Sequence, residues 1–141
     1  MNVIKNTKDL SEKTSLRILV VDDEKDAVEL LELILKRENY LINKAYTVKD
    51  AIKILESGNP LPDIILLDIK MPGKDGFTFC QELKNNNKYK DIPVIILSAL
   101  TFPDDIRRGY ESGARDYILK PWNNQDLVKR IEYQLNVAKS I

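Results

Sequence analysis

The sequence has no histidine and only one cysteine, Cys80, among its 141 residues. Without histidine, the chain cannot use an imidazole as a general base, as a metal ligand or as a phosphohistidine of its own. A single cysteine cannot form an intramolecular disulfide and cannot build a zinc–thiolate cluster. Any histidine that takes part in the chemistry of this protein must therefore belong to a partner.

The sequence also lacks an excess of charge of either sign and any long apolar run. Lysine plus arginine and aspartate plus glutamate both total 22, so the net charge is zero. This balance argues against direct binding to nucleic acid or to an anionic membrane surface. The first residues, Met1–Ser15, have no apolar core typical of a signal peptide, and the apolar runs are far shorter than a membrane span. We expect a soluble cytoplasmic protein.

The chain alternates between short apolar runs and amphipathic segments. Residues 1–16 show no sustained periodicity and are expected to form a flexible leader, followed by one domain over residues 17–141. Short apolar runs are typical of strands buried on both faces. Three runs give a strong strand signal, Ile18–Val21, Ile64–Leu67 and Val94–Leu97. Two further strands are expected at Tyr40–Tyr46 and Asp116–Leu119. A helical segment follows each run, which predicts an α/β fold with a parallel sheet covered on both sides by helices.

Several boundaries of the predicted helices can be assigned from single residues. The first helix is expected over roughly Glu24–Glu38, and the second begins at Thr47, with Asp50 completing a variant capping box, and stops at Gly58. The other helices are marked by apolar positions, caps or proline: Phe77, Cys80 and Leu83; Pro103, Ile106 and Tyr110, as far as Gly113; and Leu127, Ile131 and Leu135 after a cap at Asn123 or Asn124. The last helix has no stop signal, so a stand-alone protein and a part of a longer one both remain open.

Reactive side chains follow four of the five predicted strands. Asp22 and Asp23 follow the first, Asp68 the third, Ser98 the fourth and Lys120 the fifth. In a parallel sheet these positions meet at one edge, where ligands bind. Crowded carboxylates repel one another, so either their pKa values rise or a cation lies among them, and Mg²⁺ suits oxygen ligands together with a phosphate oxygen. An aspartate can attack phosphorus, while a lysine and a metal neutralise charge.

Other uses of these residues remain open at this point. Asp22 and Asp23 could simply cap the first helix, because aspartate is a preferred cap. Asp68 is harder to explain by structure alone, since a carboxylate at the end of an apolar strand is costly unless it is partnered. Trp122 could be a packing residue or part of a partner surface.

Four stretches of the sequence are recognisable as a set: in chain order they are Ile18–Glu24, Ile65–Gly73, Ile95–Ala99 and Tyr117–Pro121. They resemble the receiver (CheY-like) domain of two-component response regulators, and the similarity runs from about Leu16 to the chain end. The resemblance implies a flavodoxin-like, doubly wound sheet of five parallel strands in the order 2-1-3-4-5 with five helices, a fold for which a family member is a standard example.

The resemblance also implies a role for each site residue. Asp68 would be the phosphoacceptor, and the phosphoryl group would come from the phosphohistidine of a sensor histidine kinase or a histidine phosphotransfer protein. Mg²⁺ would be held by Asp68, Asp23, Asp22 and the backbone carbonyl of Lys70. The phosphoryl group would be bound by Ser98 and Lys120.

A conformational switch is implied as well. Ser98 would move toward the phosphoryl group while the ring of Tyr117 turns inward, and the Lys120–Pro121 peptide bond would be cis. Such a domain catalyses only its own phosphorylation and dephosphorylation. It would act on a downstream protein or an attached output domain through the face formed by the fourth helix, fifth strand and fifth helix.

Two other classes of protein fit less well. A phosphohydrolase that attacks with aspartate normally has a second aspartate two residues further on, where this chain has Lys70. A flavodoxin-like cofactor binder would need a glycine- or hydroxyl-rich phosphate loop after the first strand. This chain has Asp22, Asp23 and Glu24 there, which would repel a phosphate in the absence of a metal.

Overall fold

The computed structural model describes residues 16–58, 60–70 and 75–140, so the expected leader lies outside the described residues except for Leu16. Within this part of the chain, five strands alternate with five helices. The strands are β1 (Arg17–Val21), β2 (Leu41–Ala45), β3 (Ile64–Leu67), β4 (Val94–Ser98) and β5 (Asp116–Leu119). The helices are α1 (Lys25–Arg37), α2 (Val48–Ser57), α3 (Gly76–Lys84), α4 (Pro103–Glu111) and α5 (Asn124–Ser140). The predicted alternation is confirmed.

The strands form one parallel sheet in the order β2-β1-β3-β4-β5. The flavodoxin-like order predicted from the sequence is therefore confirmed. β1 pairs with both β2 and β3, so the strand order reverses at β1, and ligand sites of such sheets lie at this reversal. In the register, Val21 is opposite Leu67, and Ser98 is opposite Leu119. The residues that follow these strands consequently share one edge.

Two apolar cores lie on opposite faces of the sheet, because successive strand residues point to opposite sides. Leu19 and Val21 face the core that also contains residues of α2 and α3. Ile18 and Val20 face the core under α1 and α5. Burial on both faces explains why the strands are continuous apolar runs rather than alternating ones.

The helix boundaries show which sequence signals were correct. Thr47 caps α2, and its hydroxyl accepts a hydrogen bond from the Asp50 amide at 3.0 Å. Gly58 ends α2 with a φ of 64°, a conformation that glycine adopts readily. The first helix begins after Glu24, so neither Asp22 nor Asp23 occupies the cap position. Among the described residues, no helix has the length and apolar character needed to cross a membrane.

Candidate functional site

The carboxyl ends of β1, β3, β4 and β5 bring the predicted site residues to one edge of the sheet. Asp22 and Asp68 follow neighbouring strands, and the Asp68 amide donates a hydrogen bond to the Val21 carbonyl at 2.9 Å. The two carboxylate residues are 2% and 4% exposed, and Ser98 is fully buried. Burying two aspartates side by side is unfavourable unless a cation compensates them.

Lys120 supplies a positive charge at this point. Its Nζ lies 2.6 Å from Oδ2 of Asp22 and 3.5 Å from Oδ2 of Asp68. A third carboxylate, that of Glu24, approaches the same nitrogen at 3.3 Å from the solvent side. The lysine therefore joins the ends of β1, β3 and β5, which are far apart in the sequence.

The environment of Asp68 shifts its acidity strongly. Burial, followed by the negative charge of Asp22, raises the pKa of Asp68 from 3.8 to about 6, although Lys120 acts in the opposite direction. Burial alone would lower the pKa of Lys120, but its contacts with Asp22 and Asp68 outweigh burial and raise it. The site thus contains three carboxylates and one positively charged side chain, that of Lys120. This excess of negative charge favours the binding of a further positive charge.

Three carboxylates are close enough to share a metal ion. Asp22, Glu24 and Asp68 offer oxygen atoms that lie within 4.8 Å of one another. Carboxylate oxygens are the donors that hard divalent cations prefer, so this cluster could hold a metal. Asp23 is exposed and is not a member of that group. The Lys70 amide donates to Oδ1 of Asp68 at 3.3 Å, which helps to orient the carboxylate.

Ser98 and Tyr117 are linked through one residue of the segment between β4 and α4. The Ser98 hydroxyl accepts a hydrogen bond from the Leu100 amide at 3.2 Å. The Tyr117 hydroxyl donates to the Leu100 carbonyl at 2.9 Å, and Tyr117 is only 6% exposed. The ring is therefore in the inward position, and burial raises the pKa of its hydroxyl.

A family model supports the same interpretation. Residues 18–132 match the model of the response regulator receiver domain. The chain belongs to this family. Receiver domains are signalling domains of two-component systems, and this membership favours a signalling domain over the phosphohydrolase and cofactor-binding alternatives.

Known relatives agree with the assignment. The chain is 39% identical over 123 residues to the regulatory protein VanR of Enterococcus faecium, a match that covers 87% of this chain and 51% of the relative. The chain thus spans about half the length of this curated relative. Among solved structures, the receiver domain of a signal transduction histidine kinase from Syntrophus aciditrophicus is 32% identical, with a TM-score of 0.82 and coverage of 90% and 95% of the two chains. A two-component response regulator from Clostridium difficile is 27% identical, with a TM-score of 0.80 and coverage of 86% and 97%.

Two further expectations for this receiver domain concern the end of β5. The Lys120–Pro121 peptide bond is cis, as predicted. Trp122 packs against the core under α1 and α5 and donates from Nε1 to Oδ1 of Asn124 at 2.9 Å. Of the two roles left open for Trp122, the structure therefore supports packing.

Sequence reasoning missed two features of the receiver site. Glu24 was assigned only to the start of the first helix, although it follows the Asp22–Asp23 pair directly and its carboxylate reaches Lys120. An ion pair between Asp75 and Arg108 joins α3 to α4 at 2.9 Å, and nothing in their separate sequence contexts indicates it. The first feature could have been found from its position at the strand end.

Proposed function

We propose that this receiver domain accepts a phosphoryl group on Asp68 from a phosphohistidine of a sensor kinase or phosphotransfer protein. The observation that carries the proposal is a buried carboxylate at a strand end, with Lys120 within 3.5 Å of it. An oxygen of Asp68 attacks phosphorus, the P–N bond to the donor histidine breaks, and the electron pair stays on the imidazole. The donor histidine must be external, because this chain contains none.

The proposed cofactor is Mg²⁺, and the donor set fits it. Asp22 and Asp68 offer buried carboxylate oxygens at the site, and Glu24 offers a further oxygen close to them. Asp23 and the backbone carbonyl of Lys70 are proposed as ligands from the family resemblance. When bound, the ion would neutralise charge that develops on the phosphoryl oxygens.

Lys120 and Ser98 are proposed to bind the phosphoryl group. The lysine already lies between Asp22 and Asp68, so it can contact a phosphoryl oxygen on Asp68 with little movement. The Ser98 hydroxyl, now an acceptor for the Leu100 amide, can donate its proton to a phosphoryl oxygen. The position of Tyr117 would respond to this contact, since the Tyr117 hydroxyl is hydrogen-bonded to the carbonyl of the same residue, Leu100.

The face formed by α4, β5 and α5 is the proposed output surface. It exposes three large side chains, Tyr110, Leu119 and Tyr133, beside an ion pair between Arg130 and Asp116 at 2.9 Å. Aromatic residues and arginine are enriched in protein interfaces. We propose that a downstream protein or an attached output domain binds here, that the exchange takes place in the cytoplasm, and that neither nucleic acid nor a membrane is contacted directly.

Binding of beryllium fluoride, a mimic of the phosphoryl group, tests the proposal. The protein is titrated with beryllium fluoride in the presence of Mg²⁺, and binding is followed by fluorine and amide NMR. We expect one bound species, which is lost in Asp68→Asn and on chelation of the metal. Asp104→Asn, a change at an exposed aspartate of α4, serves as the control and should bind normally. Binding that survives Asp68→Asn would contradict the proposal.

A further inference from the structure

We propose that Arg108 is a positioning residue for the switch, because it fastens α4 to the start of α3 and thereby favours the inward position of Tyr117. Its guanidinium lies 2.9 Å from Oδ2 of Asp75 and 4.5 Å from the centre of the Phe77 ring. One side chain of α4 thus makes both an ion pair and a cation–π contact with α3. This inference rests on the proposed phosphorylation of Asp68.

The start of α3 is fixed directly to the backbone of the acceptor. A Cβ atom on Gly76 would lie 2.7 Å from Cα of Ile69 and 2.9 Å from the carbonyl oxygen of Asp68. The Gly76 amide also donates to the Ile69 carbonyl at 3.4 Å. Only glycine permits this approach, so the first turn of α3 packs closely against the backbone of Asp68 and Ile69.

Asp75 divides its carboxylate between the two helices. Its Oδ1 accepts a hydrogen bond from the Phe77 amide at 3.1 Å and so caps α3. Its Oδ2 accepts from the guanidinium of Arg108 at 2.9 Å. Because the hydrogen bond of Oδ1 to the Phe77 amide orients the carboxylate, Oδ2 points toward α4. The ion pair therefore connects Arg108 of α4 to a side chain that is itself held by the start of α3.

α4 is mostly exposed, and its other contacts include Ile106, which packs against the core that contains residues of α2 and α3, and the Tyr110 hydroxyl, which donates to Oδ1 of Asp116 at 3.3 Å. Among its nine residues, all described, only Gly109 is buried. A Cβ atom on Gly109 would lie 2.7 Å from Cδ2 of Tyr117, so the helix rests on the ring of the switch tyrosine. Arg108 is the neighbour of Gly109 in the sequence. A displacement of α4 that releases the ring must therefore also stretch the contact with Asp75.

This geometry predicts coupling between the ion pair and the phosphoryl site. The family resemblance implies that the inward ring accompanies the phosphorylated state. A ligand that binds one conformation better loses affinity when that conformation is destabilised. An exposed ion pair and a cation–π contact are modest interactions, and together they correspond to a roughly threefold to tenfold change in an equilibrium.

The test uses the full chain and two readouts. Beryllium fluoride affinity is measured with Mg²⁺ present, and fluorotyrosine NMR measures the fraction of inward Tyr117 with and without beryllium fluoride. The variants are Arg108→Ala, Asp75→Asn and the double variant; asparagine retains the helix cap. Arg107→Ala is the matched control, since that arginine is also exposed and its ion pairs stay within α4.

We expect Arg108→Ala to lower the affinity about threefold to tenfold and to reduce the inward fraction of Tyr117. Asp75→Asn should act in the same direction, and the double variant should be no worse than Arg108→Ala, because one pair is lost in each case. Unchanged affinity and ring position in Arg108→Ala, or strictly additive effects, would overturn the proposal. A lower melting temperature without these changes would indicate a purely structural role, and would overturn it too.

The ring readout also separates this proposal from the proposed function. If wild-type protein binds no beryllium fluoride, phosphorylation of Asp68 is wrong. The inward fraction of Tyr117 without ligand then still decides whether Arg108 positions the ring. If wild type and Arg107→Ala bind equally well and Arg108→Ala binds as they do, the role of Arg108 alone is wrong.

Discussion

The edge of the sheet that carries Asp22, Asp68 and Lys120, here called the acceptor edge after the proposed role of Asp68, and helix α4 are built in opposite ways. At the acceptor edge, Asp22 and Asp68 are buried and share the ammonium of Lys120. In α4, by contrast, only Gly109 is buried, and an exposed Arg108 provides its link to α3. Phosphoryl transfer depends on positioning, whereas a switching element is drawn from the less stable parts of a protein. The difference fits the proposal that Asp68 accepts the phosphoryl group and that α4 moves in response.

Substituting a glycine in each region should give the largest effect and the sharpest contrast. Gly76→Ala places a methyl group against the backbone of Asp68 and Ile69, and backbone cannot move aside cheaply. We expect a loss of about 3 kcal/mol in the free energy of unfolding. Gly109→Ala meets only the side chains of Tyr117 and Ile96, and alanine is favoured over glycine within a helix by about 0.5–1 kcal/mol.

Urea denaturation of both variants measures this contrast. Gly109→Ala should lose clearly less stability than Gly76→Ala, because the ring of Tyr117 can turn outward to make room for the methyl group. Equal losses of stability in the two variants would show that α4 is as rigidly packed as the acceptor edge, contrary to the comparison above.

Removing the charge of Asp68 should stabilise the domain, with a pH dependence of definite sign. The pKa of Asp68 is raised from 3.8 to about 6 by burial and by Asp22. Between about pH 4 and pH 6, Asp68 is ionised in the unfolded chain but still protonated in the folded protein. The free energy of unfolding therefore falls as the pH rises through this range. Above pH 6 the ionised carboxylate costs about 2–3 kcal/mol. We expect Asp68→Asn to be more stable than wild type by that amount at pH 7.5 without metal.

The same comparison at low pH is the internal control. Well below pH 3.8 the carboxyl of Asp68 is protonated in both the folded and the unfolded protein, so the difference in unfolding free energy between wild type and Asp68→Asn should disappear. A stabilisation that is independent of pH would indicate that the effect comes from packing and not from charge.

Tyr117→Phe should give the smallest effect. It removes the hydrogen bond to the Leu100 carbonyl but keeps the ring under Gly109. We expect a loss of about 0.5–1.5 kcal/mol in unfolding free energy, with a larger outward fraction of the ring. Amide hydrogen exchange should speed up in α4 and leave β1 and β3 unchanged. Faster exchange throughout the sheet would contradict the separation between the two regions.

The sequence was sufficient for most of the fold because the strands are buried on both faces. Runs such as Ile64–Leu67 have no polar side, and turn residues such as Gly58 separate them clearly. Strand order followed from the family resemblance, and the positions of Asp22, Asp68 and Lys120 followed from strand ends. These are local patterns, and local patterns can be recognised in a single sequence.

Contacts between distant exposed residues could not be predicted in this way. Asp75 and Arg108 are 33 residues apart; locally, Asp75 is the cap of α3 and Arg108 is an exposed residue of α4. Glu24 was attributed to helix α1, whereas its carboxylate turns back to Lys120. The orientation of a long side chain depends on tertiary neighbours and not on periodicity. The roles of Asp23 and Lys70 as metal ligands likewise stay predictions.

The most direct test of the account is phosphorylation of the purified protein. The chain is incubated with Mg²⁺ and acetyl phosphate, its intact mass is measured, and the modified peptide is identified after borohydride reduction of the acyl phosphate. The account predicts the addition of a single phosphoryl group, located on Asp68, absent from Asp68→Asn and present in Asp104→Asn. An unchanged mass in wild type, or a phosphoryl group that persists in Asp68→Asn, would contradict it.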